Sequence, residues 1–178
     1  MKRTRRQFLA KTVDLTAGAV LLVPAGAAWP GESPDRIGAE VSFQLTPVGK
    51  VEKQGDAARI RIFDRYADAL LGLEGWSHVN VLWWFDKNDV PEKRRILRVH
   101  PQGKQENPLT GVFACRAPVR PNLIGLSVCK ILEVKKNVVH VDTIDAFDGT
   151  PVLDLKPFVP PDALAQGIKV PDWAKKKQ

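Results

Sequence analysis

Two cysteines and three histidines in 178 residues leave little material for a metal centre or a thiol framework. Cys115 and Cys129 stand among apolar neighbours, where a free thiol behaves as a small hydrophobe; a bridge between them is the open alternative. His78, His100 and His140 have no ligand-like spacing to one another or to the cysteines, and Ser77-His78 and Ser127 show no nucleophile, base and acid in recognisable order. A Gly-x-Gly turn occurs nowhere, which argues against a parallel, doubly wound nucleotide-binding sheet. No stretch approaches the roughly 20 apolar residues of a membrane span. There is no internal repeat, and the only low-complexity tract is the closing Lys175-Lys176-Lys177.

The chain opens with a basic segment, Met1 to Lys11, containing Thr4-Arg5-Arg6-Gln7-Phe8-Leu9. A small, apolar stretch from Thr12 to Ala28 follows, broken by Asp14 and carrying Ala25-Gly26-Ala27 as an A-x-A cleavage site. That order reads as a twin-arginine-type signal over residues 1–27, with an uncleaved anchor as the lesser reading. It implies an exported or periplasmic protein, or a cytoplasmic one if the address is not used. Five Lys/Arg and one Asp lie within those residues, so +4 of the net +7 belongs to the address and only +3 to the remainder. The mature part is therefore mildly basic, and its charge alone is a weak argument for nucleic acid. A linker over 28–40, a single domain over 41–160 and a tail over 161–178 complete the division.

Within the domain, period-two alternation predicts strands at Val41-Phe43-Leu45 and at Ile60-Ile62. Tyr66 to Leu73 reads as a short helix ending at Gly72 or Gly75. Val79 to Phe85 reads as a central strand buried on both faces. A turn at Asp86 to Pro91 leads to a returning strand over Arg94 to Val99. The clearest local signal is a hairpin: Leu126 to Val134, a Lys135-Lys136-Asn137 turn, and Val138 to Ile144 coming back. Val152 to Leu155 is a last short strand before Pro157, Pro160 and Pro161. The expected fold is mainly β, a small curled or closed barrel-like sheet with one short helix and long connecting loops.

Two loops concentrate chemistry. In Cys115 to Gly125, Pro118 and Pro121 stiffen a segment bearing Arg116, Arg120 and Asn122, so the guanidiniums lose little entropy on meeting a ligand; the plainer reading is a solvated surface turn. In Asp145-Ala146-Phe147-Asp148-Gly149-Thr150-Pro151, two carboxylates flank an aromatic ring. This is a good turn, and equally a surface suited to an ammonium or sulfonium guest. Lys93-Arg94-Arg95 with Arg98, near Trp83 and Trp84, could face phosphate, although a solvated strand face is the commoner arrangement.

Those two loops lie within Gly111 to Ser127 and Asp145 to Pro157. Together with Gly72-Leu73-Glu74-Gly75-Trp76-Ser77-His78 and Gln44-Leu45-Thr46-Pro47-Val48-Gly49, these blocks resemble the TsaA/TrmO family. The resemblance implies a small β-barrel-like domain, usually a homodimer, binding S-adenosylmethionine between its loops. It also implies methylation of the exocyclic amine of threonylcarbamoyladenosine in tRNA. By position it places cofactor contacts on Asp86, Lys87, Arg116, Ile124, Asp145, Ala146, Phe147 and Asp148, and ligand or substrate contacts on Arg120 and Asn122. No catalytic residue is assigned. The chain departs from the family at Cys115 (Thr in the family), Leu123 (Pro) and Asp86 (His). It also lacks the Pro-x-Gln loop after the first strand, where Val51 to Ala58 offers only Gln54. These departures keep a second reading in view: an exported module that binds an unknown small molecule and has lost the tRNA reaction.

Overall fold

A computed structural model describes residues 43–55, 57–159 and 171–174, and the compact unit begins at Gln44. The residues expected to form a signal (1–27) and linker (28–40) lie outside the described residues, as does most of the expected tail. Among the described residues there are eight strands: β1 (Gly49–Gln54), β2 (Ala57–Ile62), β3 (His78–Trp84), β4 (Arg98–Val99), β5 (Thr110–Gly111), β6 (Ile124–Lys135), β7 (Val138–Val141) and β8 (Pro151–Pro157). Six of them close an antiparallel barrel in the order β1-β2-β7-β6-β3-β8, and β4 pairs with β5 in a small separate sheet. The expected mainly-β barrel is the fold observed. No described helix is long and apolar enough to cross a membrane.

The barrel interior follows from side-chain parity. Val51, Ala58, Ile60, Ile62, Val79, Val81, Trp83, Val139, Val141 and Val152 all point into one core. β3 alternates strictly, Val79, Val81 and Trp83 in and Asn80, Leu82 and Trp84 half-exposed, so it is central but not buried on both faces. The inward side of β6 is small: Gly125, Ser127 and Cys129 stand opposite Trp83, Val81 and Val79. That small face leaves room for the indole of Trp83.

Several sequence expectations are corrected. The strand placed at Phe43 and Leu45 is absent: both are exposed, and pairing begins at Gly49, after Pro47, which has no N–H for a ladder. Gly49 is required there, because a Cβ would lie 2.3 Å from the Arg61 carbonyl oxygen. Val51 to Ala58, taken as a loop, is instead the β1–β2 hairpin. Its outward Glu52 and Gln54 mask the alternation, and Glu52 is held by Arg61 at 2.7 and 3.0 Å.

The predicted helix appears as a seven-residue 3-10 helix, Asp64–Leu70, and a separate 3-10 turn, Leu73–Gly75. Gly72, at φ 84°, breaks the run between them. The strand expected over Arg94 to Val99 is shortened to Arg98–Val99: Arg94 closes a short helix, α1 (Pro91–Arg94), and residues 95–97 form a turn and an irregular segment. Pro91 occupies the first helical position, where its fixed φ and missing N–H cost nothing.

The β6–β7 hairpin forms as the sequence indicates, its turn at Lys136-Asn137. Its return arm stops at Val141, where Asp142 caps the edge by accepting the Lys130 amide. Both cysteines are free thiols: Cys115 lies in a loop, and Cys129 is inside β6. Burial, helped by the carboxylates of Asp142 and Asp145, pushes the Cys129 thiol up to about 12.

Candidate ligand site at the mouth of the barrel

At the end of the barrel where β3 leaves and β6 enters, the 112–120 loop folds over the sheet. It and the Asp145 corner enclose a cavity of about 270 Å3 lined by Trp83, Phe85, Arg116, Arg120, Ile124 and Asp145, with Phe113 at its rim. Four of the sequence-predicted site residues, Arg116, Arg120, Ile124 and Asp145, thus meet in one place although the two loops are far apart in sequence.

The two arginines have different fates. Arg120 donates from Nε to the carbonyl of Ala117 (2.9 Å) and from Nη2 to those of Val112 (2.9 Å) and Cys115 (2.8 Å), so it is the internal brace of the loop. Arg116 is exposed and makes no hydrogen bond or ion pair among the described residues. The acidic corner is anchored from below. The buried Trp83 indole N–H donates to Ser127 Oγ at 2.9 Å, and the Ser127 hydroxyl donates in turn to Asp145 Oδ1. The other Asp145 oxygen has no partner among the described residues.

A second group adjoins the first. Asp86 and Lys87 begin one residue beyond Phe85. The Lys87 ammonium lies 4.1 Å from the centre of the Phe147 ring, and Thr150 Oγ1 is 3.5 Å from Asp86 Oδ1. The remaining predicted residues turn elsewhere. Ala146 is buried in the core, Asp148 accepts the Lys53 amide at 2.8 Å, and Asn122 is exposed outside the cavity.

The basic run on α1 is likewise partly spoken for. Arg94 holds Asp89 at 2.7 Å and the Pro121 carbonyl at 3.0 Å, and Lys93 holds Asn88 at 2.8 Å. Hydrogen bonds from Trp84 and Arg94 keep the Asp89 carboxyl below the usual carboxylate range. Arg95 and Arg98 are left facing solvent.

Sequence reasoning missed Trp83, Phe85, Phe113 and Ser127 as site residues. The parity of β3 was the available signal, since Val79, Val81, Trp83 and Phe85 share one face. Gly125 completes this wall: a Cβ there would lie 2.5 Å from the Trp83 ring, which itself meets Phe85 edge-on at 4.4 Å.

A larger cavity of about 1020 Å3 lies on the far side of the same loop, lined largely by apolar residues including Val99, Pro101, Pro118, Val119 and Trp173. It shares Cys115 and Arg116 with the smaller one, and Arg116 is its only formally charged side chain. The smaller cavity is the better candidate for a zwitterionic or cationic ligand, because it alone presents both signs of charge beside aromatic faces.

Fold and site together define a small closed antiparallel barrel with a two-signed, aromatic-walled cavity at its mouth. Residues 43–162 match the tRNA-methyltransferase O N-terminal domain, and the chain belongs to that family. It is 46% identical over 116 residues to a probable S-adenosyl-L-methionine-binding protein of Methanocaldococcus jannaschii, a match covering 65% of this chain and 92% of that one. With the tRNA (adenine(37)-N6)-methyltransferase of Mus musculus it shares 40% identity over 102 residues, 57% of this chain and 23% of the mouse protein. Among solved structures, TrmO from P. aeruginosa superposes with a TM-score of 0.56 at 27% identity, covering 74% of this chain and 62% of that one. The chain therefore spans about three fifths of that solved relative.

Proposed function

We propose that the cavity between Arg116 and Asp145 binds S-adenosylmethionine. We propose further that the protein transfers its methyl group to the exocyclic amine of threonylcarbamoyladenosine in tRNA or a related acceptor. The observation that carries this reading is the convergence of an unpartnered guanidinium and a half-satisfied carboxylate on one aromatic cavity.

The donor set fits the cofactor: Arg116 suits a carboxylate, Asp145 an ammonium or ribose hydroxyl, and Trp83, Phe85 and Phe113 a purine or sulfonium. At about 270 Å3 the cavity falls just under the usual range of about 300–1,000 Å3 for small-molecule sites. It would thus hold one end of the molecule, leaving the rest against the exposed Phe113. When bound, the cofactor supplies an electrophilic methyl carbon. What this chain contributes is alignment and partial exclusion of water, which displacement at carbon needs more than a strong base.

Calorimetric titration of the full chain with S-adenosylmethionine should show one site per chain, and Arg116→Ala should weaken it by about tenfold or more. Labelled methyl should appear in tRNA isolated from cells lacking this modification. A silent titration of the wild-type chain would overturn the reading.

The alternative, a binding module without methyl transfer, is favoured by one observation: the archaeal relative covered over 92% of its length is named for binding S-adenosylmethionine. Uptake of the cofactor with no label in tRNA would decide for it. We further propose that the Arg5-Arg6 segment, outside the described residues, directs export. Fractionation of a tagged full-length chain should give a shortened product in the periplasm; a full-length cytoplasmic product would refute that.

A further inference from the structure

We infer that Ser127 and Trp83 are positioning residues for the ligand site, together fixing the carboxylate of Asp145 so that one oxygen is tethered and the other is presented to the cavity. The inference rests on the proposed cofactor site and names the residues that set its acidic wall.

The direction of each bond is fixed by the groups themselves. An indole N–H can only donate, and it meets Ser127 Oγ at 2.9 Å. The serine hydrogen is therefore free to point away, and it points to Asp145 Oδ1. An ionised carboxylate can only accept, so the chain Trp83 to Ser127 to Asp145 has a single polarity and no competing arrangement.

Its root is buried and closely packed. Trp83 is 4% and Ser127 6% exposed, and the indole is clamped between Gly125 and the edge-on ring of Phe85. Asp145, by contrast, is exposed on a loop just beyond the end of β7, and no cation among the described residues holds it. Without the serine hydroxyl, nothing described fixes its rotamer. A serine at this barrel-interior position also requires a reason. Its inward neighbours on β6 are Gly125 and Cys129, and a buried hydroxyl is costly unless its hydrogen bonds are made. Both are made here, one to the core and one to the site.

The test combines binding with a resonance that needs no ligand. Ser127→Ala should lower S-adenosylmethionine affinity by about tenfold, the scale of a lost hydrogen bond to a charged group. Ser127→Thr, which keeps the hydroxyl on a β-compatible side chain, should restore most of it. In an Asp145→Ala background, where the hydroxyl has no acceptor left, the serine substitution should have little further effect, because the two act as one unit. A merely structural serine would cost the same in both backgrounds, and that result overturns the inference. In the unliganded protein, the Trp83 indole N–H signal should shift in Asp145→Asn, and its exchange with solvent should accelerate at least tenfold in Ser127→Ala. An indole signal indifferent to both changes also overturns it. If the wild-type chain binds no cofactor while the indole responds, the proposed function falls and the tether stands. Trp83→Phe supplies a second variant should Ser127→Ala fail to fold.

Discussion

Across β3 and β6, Trp83 faces Gly125, and a methyl group built on that glycine would lie 2.5 Å from the indole ring. The ring is rigid and walled in by Phe85, so it cannot swing aside at small cost. Gly125→Ala should destabilise the protein by about 1–3 kcal/mol, the usual range for overpacking, with a lower midpoint in urea and a changed Trp fluorescence. At this scale the sequence was half legible. It marked Arg116 as a cofactor contact and Arg120 as a substrate contact, and nothing in two identical side chains says which will be the brace. The carbonyls of Val112, Cys115 and Ala117 decide that, and their convergence is a property of the folded loop. Asp145 and Asp148 divide in the same way, one toward the cavity and the other toward the Lys53 amide.

Elements were legible where their apolar pattern was strong. The β6–β7 hairpin, rich in Val and Ile with a Lys-Asn turn, is where the alternation puts it. The β1–β2 hairpin escaped because its outward residues are charged and its turn is short. Glu52 is bound by Arg61 there, and hydrogen bonding by the guanidinium holds the Glu52 carboxyl below its ordinary value. A carboxyl depressed in the folded state stabilises above its unfolded pKa of about 4.3. That stabilisation is lost as pH falls through the folded value. Glu52→Gln should therefore be less stable than wild type at neutral pH and converge with it in acid, a difference readable from urea midpoints between pH 7 and pH 3. A gap that does not narrow in acid would show that the pair does not act through ionisation. Helix α1 shows the opposite failure: Ile96, Leu97 and Val99 suggested a strand, but Pro91 and the anchoring of Arg94 to Asp89 wind its start into a helical turn.

For the whole molecule, composition and strand count indicated a closed or curled β fold, and the barrel bears this out. The order of closure was not legible, because it depends on pairings between segments as far apart in sequence as Gly49 and Val152. The last join is slight. β1 and β8 share only the register pairs Gly49 with Val152 and Lys50 with Pro151. The seam is extended by Val51 N–H donating to the Thr150 carbonyl and by Gly149 N–H donating to that of Val51, each at 2.9 Å. Thr150 and Gly149 belong to the same short segment as Asp145 and Phe147. The clasp that shuts the cylinder and the acidic wall of the proposed site are thus one piece of chain. On the proposed reading, a ligand held at Asp145 would bind beside the closing seam. Binding there would stabilise the closed cylinder over the open chain by a margin set by how far the ligand's concentration exceeds its dissociation constant.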